Sequence, residues 1–344
     1  MELLTITHLK REAQQDRTGA KIHAQVESVN KKETRDAKPF YELTLADAQA
    51  KLTLRAWSDS PNFEQCDALS AGDFVEVTGE FAHSANFGVE SKKWTLRFLK
   101  DDERDALLAG SPEVRARQDA DFAFIRDGVA GIADPRLHAL CEIFLADFGD
   151  RFRRAAAARN NHHARRGGLV EHVAQMMRAA IALCGVYPQL NRDLLVAGVL
   201  FHDCGKLWEN SLPEDGFVMP FDERGELLGH ISIGAEVVNA LWRKLLANEE
   251  SKAWAELHPS SEDVRLHLLH LIVAHHGELQ FGSPAVPKTP EAQALHYIDN
   301  LDAKMEMFVQ AYATSKPLAP RIHERVWPLP GNPVKPLEIF RCAE

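Results

Sequence analysis

The sequence predicts two domains of different class, an all-β barrel followed by an all-α helical bundle, and three observations carry that prediction. In the first hundred of 344 residues, polar and apolar side chains alternate with a period of two. Beyond about residue 135, apolar residues recur at helical spacing instead. Between the two lies a charged stretch punctuated by Gly110-Ser111-Pro112. An apolar fraction of 45% is enough for a core in each domain.

The β texture resolves into segments 20–29, 40–47, 51–57, 73–81 and 87–98, as in Lys51-Leu52-Thr53-Leu54-Arg55-Ala56-Trp57, separated by turn material such as Asp47-Ala48 and Ser70-Ala71-Gly72. Five short strands with a longer excursion, 58–69, between the third and fourth match an OB-fold, which inserts a helix there. Phe40, Tyr41, Trp57, Phe81, Phe87 and Trp94 lie in or beside these strands. Aromatic rings on such a face stack on the bases of single strands, and they fill a core equally well. Trp57 and Phe87 are the two taken as substrate-binding candidates.

Residues 101–134 are charged and helical in tendency, and we assign them as a linker. The helical domain then spans 135–315 and a tail 316–344. Its helices are marked by Leu137, Leu140, Ile143, Phe144 and Phe148, by Val170, Val173, Met176, Met177 and Ala180, and by later apolar runs at 193–204, 230–246, 262–276 and 290–314.

Composition sets limits on function. The net charge is −10, with 15 Lys+Arg against 19 Asp+Glu in residues 1–110 and 25 against 31 in the remainder, which disfavours tight nonspecific binding to nucleic acid. A few well-placed cations in a groove, or bound metal ions, still suffice for a processing enzyme. The opening MELLTITHLKREAQQDRTG is not that of a secretory leader, and no stretch of about 18 uncharged apolar residues follows. Five scattered cysteines without CxxC spacing indicate neither a disulfide framework nor a zinc ribbon. A cytoplasmic protein without a membrane anchor is the expectation.

The chemistry is written in His172, His202-Asp203, His230, His275-His276 and Asp299. His202-Asp203 follows the apolar run Leu194 to Phe201 and precedes Cys204-Gly205-Lys206, so two ionisable groups end an apolar helix where glycine can turn the chain. Burying an imidazole and a carboxylate together is costly unless a metal or partner charge compensates. His230 opens one helix, His275-His276-Gly277 ends another, and Asp299 sits mid-helix, where aspartate is a poor helix former. Each placement has an ordinary reading as cap, helix-end cation or surface residue. Together they specify a site for borderline divalent metals, and spacing does not choose among Mn, Fe, Co, Ni, Zn and Mg.

The strings Gly168-Leu169-Val170-Glu171-His172, Phe201-His202-Asp203-Cys204-Gly205-Lys206, Gly229-His230-Ile231, His275-His276-Gly277 and Ile298-Asp299-Asn300-Leu301-Asp302-Ala303-Lys304 resemble the HD-domain superfamily of metal-dependent phosphohydrolases. With the OB-like module in front, the chain is similar more specifically to the bacterial YhaM-type 3′→5′ exoribonucleases. The resemblance implies a phosphodiesterase that releases nucleoside 5′-monophosphates from the 3′ end of single-stranded RNA, or DNA. It also implies that His172, His202, Asp203 and Asp299 hold one ion. A second would be held by Asp203, His230 and by His275, His276 or both. Two cations about 3.5 to 4 Å apart can lower the pKa of a bridging water and hold both the attacking and leaving oxygens of a displacement at phosphorus.

Lys206, beside the HD pair, is a candidate to neutralise a nonbridging phosphate oxygen, or else a solvated helix-end lysine. Arg151, Arg153, Arg154, Arg159, Arg165 and Arg166 put six arginines into sixteen residues before the His172 helix, and Arg159, Arg165 and Arg166 are taken as phosphate contacts. His162 or His163 is placed as proton donor to the leaving oxygen, with His163 preferred. Two other readings compete: a phosphohydrolase of small nucleotides, and a noncatalytic single-strand-binding protein with a decayed second domain.

Overall fold

Alternation in the N-terminal third produces the strands it promises. The computed structural model describes residues 1–84, 88–159 and 163–340, so Phe87, His162 and Cys342 lie outside the described residues. The chain divides into two units, residues 1–99 with 304–344, and residues 100–303.

The first unit opens with β1 (Glu2–Leu3), α1 (Ile6–Gln15), β2 (Thr18–Glu33), β3 (Pro39–Ala46), β4 (Lys51–Trp57), α2 (Phe63–Cys66), β5 (Phe74–Ser84) and β6 (Gly88–Phe98). The order β4-β3-β2-β5-β6 is antiparallel throughout, with β1 added in parallel to β2. Inward positions Ile22, Ala24, Val26, Leu43, Leu45, Leu52, Leu54, Val75 and Val77 form the core, as period-two strands with one buried face require. The short helix α2 falls inside the 58–69 excursion, where one was expected. A closed barrel was also expected, yet among the described residues no ladder joins the edge strands β4 and β6. An ion pair, Arg55 to Glu90 at 3.1 Å, spans them.

Helix α1 precedes the alternating segments and is not announced by them. Its Ile6, Leu9 and Ala13 recur at helical spacing and are buried against the strands, while Thr5 caps it by accepting from His8 N–H. Asp47 receives the Ile6 N–H on Oδ2 and the Gln49 and Ala50 N–H groups on Oδ1, tying the helix start to the turn after β3. Of the six aromatics, Tyr41, Phe81 and Trp94 are core residues. Trp57 is 43% exposed and stacks on Phe40, its cross-strand partner, with ring centroids 4.9 Å apart. The tail 316–344 carries a two-stranded ribbon, β7 (Pro317–Ala319) and β8 (Ile322–His323).

The second unit is helical: α3 (Asp101–Ala109), α4 (Pro112–Ala130), α5 (Pro135–Arg154), α6 (Gly168–Val186), α7 (Arg192–Phe201), α8 (Lys206–Glu209), α9 (Glu223–Leu246), α10 (Ser261–Ala274) and α11 (Pro290–Thr314), the last running on past residue 303. Ser111 and Asp134 cap α4 and α5, each with proline at the first helical position, which cannot use its missing N–H there anyway. The segment 101–134 is helical as expected, but it is no mere spacer, because Ile125, Val129 and Ile132 are buried in the core of this unit. Helix α6 is long and apolar enough to cross a membrane by length and composition alone; Leu169, Val170, Val173, Met176, Met177 and Ala180 on it are core residues.

Candidate active site

Five helix segments bring the ionisable residues to one place. His172 comes from α6, His202 and Asp203 from the end of α7, His230 from α9, His275 and His276 from the end of α10, and Asp299 from α11. The apolar faces of these helices bury their ends: His172, His202 and His275 are fully inaccessible and Asp203 is 1% exposed. Two glycines permit the approach. Gly229 takes φ +68°, a left-handed conformation that kinks α9 just before His230. A Cβ on Gly205 would stand 1.9 Å from the His230 carbonyl oxygen, so only glycine lets the turn after Asp203 lie against α9.

Asp203 faces two groups of imidazoles. Its Oδ2 lies 3.2 Å from His202 Nε2 and 3.6 Å from His172 Nε2, and its Oδ1 lies 3.5 Å from His230 Nε2 and 3.6 Å from His275 Nε2. Asp299 Oδ1 is 3.4 Å from His172 Nε2. Lys206 Nζ makes an ion pair with Asp203 Oδ2 at 2.6 Å. His172, His202 and Asp203 form one set with metal-ligand spacing, and His230, His275 and His276 form another.

The outer ring nitrogens fix how these imidazoles point. His202 Nδ1 donates to Val199 O at 2.8 Å and His275 Nδ1 to Ile272 O at 2.7 Å, each within its own helix end. His276 Nδ1 donates to Phe281 O at 2.7 Å. His172 Nδ1 donates to Asp302 Oδ2 and His230 Nδ1 to Glu209 Oε2, both at 2.7 Å. With Nδ1 turned outward as the donor, each Nε2 faces the centre, where a ligand atom would stand.

Electrostatics favour a cation at that centre. Burial pushes the Asp203 carboxyl up, but Lys206 and the surrounding histidines outweigh it and hold the group well below the usual carboxylate range. Asp299 and Asp302 are likewise held down against burial, Asp299 chiefly by His172 and Asp302 by His163 and then His172. Burial drags His275 well below the usual imidazole range, which leaves it neutral and able to ligate. Burial pulls at His172 too, yet Asp299 and Asp302 raise it to about 9.

The residues fit a divalent metal. Asp203 Oδ1, His230 Nε2 and His275 Nε2 are all buried without a hydrogen bond, a cost that coordination removes. Imidazole and carboxylate are the donors that borderline divalent ions take.

The other candidates fall elsewhere. Lys206 is 8% exposed and paired to Asp203, which excludes the solvated reading. His163, the preferred proton donor, is buried at φ +49°, with Nε2 donating to Asp302 Oδ2 at 3.0 Å and Nδ1 facing Arg165 and Glu171. Arg159 donates to the carbonyls of Glu209, Met219 and Pro220, Arg166 to those of Pro213, Glu214 and Gly216, and Arg165 to Glu171. Each of these three arginines has a structural use: two pin the 210–221 segment and one neutralises a buried glutamate. Asp302 and Glu209 were missed. Asp302 was legible as a second aspartate at i+3 from Asp299, on the same face of α11; no local signal marked Glu209.

A family model for the HD domain matches residues 169–304. Two curated relatives carry the name 3′-5′ exoribonuclease YhaM. That from Bacillus pumilus is 33% identical over 300 residues, covering 86% of this chain and 88% of that protein. That from Geobacillus sp. is 32% identical over 296 residues, covering 86% of each. Among solved structures, asparaginyl-tRNA synthetase from Pyrococcus horikoshii aligns over 42% of this chain and 36% of that one at 13% identity, with a TM-score of 0.22, too slight a likeness to bear on the fold.

Proposed function

Because this chain belongs to the HD-domain family of YhaM-type 3′→5′ exoribonucleases and is a hydrolase of that class, we propose that it shortens single-stranded RNA from the 3′ end, releasing nucleoside 5′-monophosphates. The observation that carries this reading is that Asp203 Oδ1, His230 Nε2 and His275 Nε2 are buried without a hydrogen bond beside His172, His202 and Asp299, a donor array suited to two divalent cations. Divalent cations held there supply Lewis acidity that lowers the pKa of water and offsets charge building at phosphorus.

The chain's own residues do the rest. Asp203 offers one carboxylate oxygen to each imidazole set, so both sets are registered to a single rigid group. Helix-end carbonyls lock His202 and His275, which keeps the donor array from reorganising as charge develops. Water attacks the terminal phosphorus, the bond to the penultimate 3′ oxygen breaks, and the departing oxygen takes a proton. Lys206 Nζ is the positive group placed to answer a nonbridging phosphate oxygen, sharing itself with Asp203. Apolar helix ends around His172, His202 and His275 keep bulk water out.

The first unit reads as an OB-fold module that presents the strand: its β4-β3-β2-β5-β6 order, helix between β4 and β5, and Arg55 to Glu90 link at the edges agree with one. Trp57 over Phe40 is the stacking platform on this reading. A second reading, hydrolysis of small nucleotides, is favoured by one observation, that strand cations are matched by carboxylates, as in Lys51 with Glu27 and Arg97 with Glu76. The deciding experiment uses metal-loaded protein with 5′-labelled and 3′-labelled single-stranded RNA and, separately, nucleotides. Label leaving as 5′-mononucleotide from the 3′ end, with activity falling steeply as salt is added, is the expected result. Intact RNA alongside hydrolysed nucleotides supports the second reading.

A further inference from the structure

Two of the site's histidines differ from the rest in what stands behind them. His202, His275 and His276 each donate Nδ1–H to a backbone carbonyl, a neutral acceptor. His172 and His230 donate instead to carboxylates, Asp302 and Glu209, both at 2.7 Å. Each ligand set contains one such histidine, His172 in the set with His202 and Asp203, His230 in the set with His275 and His276. A carboxylate behind an imidazole raises the electron density on the opposite nitrogen and fixes the ring, effects that a carbonyl gives only weakly.

The two carboxylates are also held by different means. Asp302 Oδ2 is shared, receiving His172 Nδ1 and His163 Nε2 at 2.7 and 3.0 Å, with His163 leading outward to Glu171 and Arg165. Glu209 sits at the end of α8, and its backbone carbonyl accepts from Arg159, which also binds the Met219 and Pro220 carbonyls. The two carboxylates thus hang on different groups, Asp302 on two histidines of the α6 side and Glu209 on the turn of α8.

From this geometry we infer that Asp302 and Glu209 are positioning residues that set the affinity of the two cation sites independently, Asp302 through His172 and Glu209 through His230. The inference rests on the two-cation reading above. It makes the pair of sites separately tunable although Asp203 is common to both.

The test is titration of the full-length, chelator-treated protein with Mn²⁺ alone, followed by calorimetry, for the wild type, Glu209→Gln, Glu209→Asp and Asp302→Asn, with circular dichroism as a check on folding. Glu209→Gln is expected to weaken one binding step by about 10- to 100-fold and leave the other in place, and Asp302→Asn to weaken the other step by a similar factor. Glu209→Asp, which keeps the charge, recovers part of the loss; a merely structural role for the side chain does not produce that rescue. The inference is overturned if either substitution shifts both steps alike, or if neither shifts any step in a folded protein. A wild type that takes up a single ion removes the two-cation reading; the inference then survives only in the form that one substitution alone moves that ion's affinity, and equal effects of both, or none, end it.

Discussion

Lys206 Nζ lies 2.6 Å from Asp203 Oδ2, and the two residues are 8% and 1% exposed. The pair competes with any cation for the same oxygen, which gives the two residues opposite expected signatures. Lys206→Met removes a positive charge beside the site, so Mn²⁺ binding is expected to hold or tighten, while turnover on RNA falls by about 10²-fold through lost stabilisation of phosphate charge. Asp203→Asn loses metal and turnover together. Metal titration alongside steady-state kinetics separates them, and near-normal turnover in Lys206→Met would mean that the lysine serves only to balance Asp203.

Gly205 gives a test of how closely the HD turn must lie against α9. A Cβ there meets the His230 carbonyl oxygen at 1.9 Å and Gly234 N at 2.8 Å, both backbone atoms that no rotamer change moves aside. Gly205→Ala is expected to cost about 3 kcal/mol in urea unfolding, the range of an overpacked core, and to weaken metal binding by displacing His230. An alanine variant as stable as the parent and equally able to bind Mn²⁺ contradicts this account of the turn.

Those two residues also show where the sequence was legible. His202-Asp203 at the end of an apolar run, followed by glycine, could be read locally because the energetic problem of burying two ionisable groups is visible in one string. The strands 51–57 and 73–81 were readable for the same reason, since period-two alternation is a property of neighbours. Asp302 and Glu209 could not be read in their roles: the first meets a histidine 130 residues away and the second one 21 residues away, on another helix. The internal partners of the arginines were not legible, because a count of guanidiniums says nothing of the carbonyls of 209–220 that hold Arg159 and Arg166. The packing of segment 101–134 was not legible because its charged surface hides Ile125 and Val129 on its buried side.

Glu76 on β5 is expected to govern the acid stability of the first unit. It is nearly buried and accepts from His23 Nε2 at 3.1 Å, Lys21 Nζ at 3.3 Å and Arg97 Nη2 at 2.9 Å. Burial pushes its carboxyl up, but these three donors together bring it below the usual range. A depressed folded-state pKa stabilises the fold at every pH above the unfolded value of about 4.3, and that contribution fades as pH drops through the folded-state value. Glu76→Gln should therefore be less stable than the wild type by about 1.5 to 3 kcal/mol at pH 7, the worth of hydrogen bonds to a charged group. Unfolding curves from pH 7 down to pH 3 should show the gap holding to about pH 5 and then closing; a gap that widens on acidification reverses the sign argued here.

Trp57 is expected to separate strand capture from hydrolysis. Its ring is 43% exposed and braced by Phe40 at 4.9 Å, so it can be removed without opening the core formed by Tyr41, Phe81 and Trp94. Stacking on an aromatic is worth about 1 to 3 kcal/mol per base, so Trp57→Ala should weaken binding of a labelled single-stranded oligoribonucleotide by about 5- to 150-fold. Hydrolysis of a dinucleotide, too short to need the platform, should be unchanged, so the defect appears in KM for long RNA and leaves kcat alone. Fluorescence anisotropy and kinetics on the two substrates provide the comparison. Equal loss on both substrates would place Trp57 in the support of the fold, and no loss on either would leave the ring without a part in RNA capture.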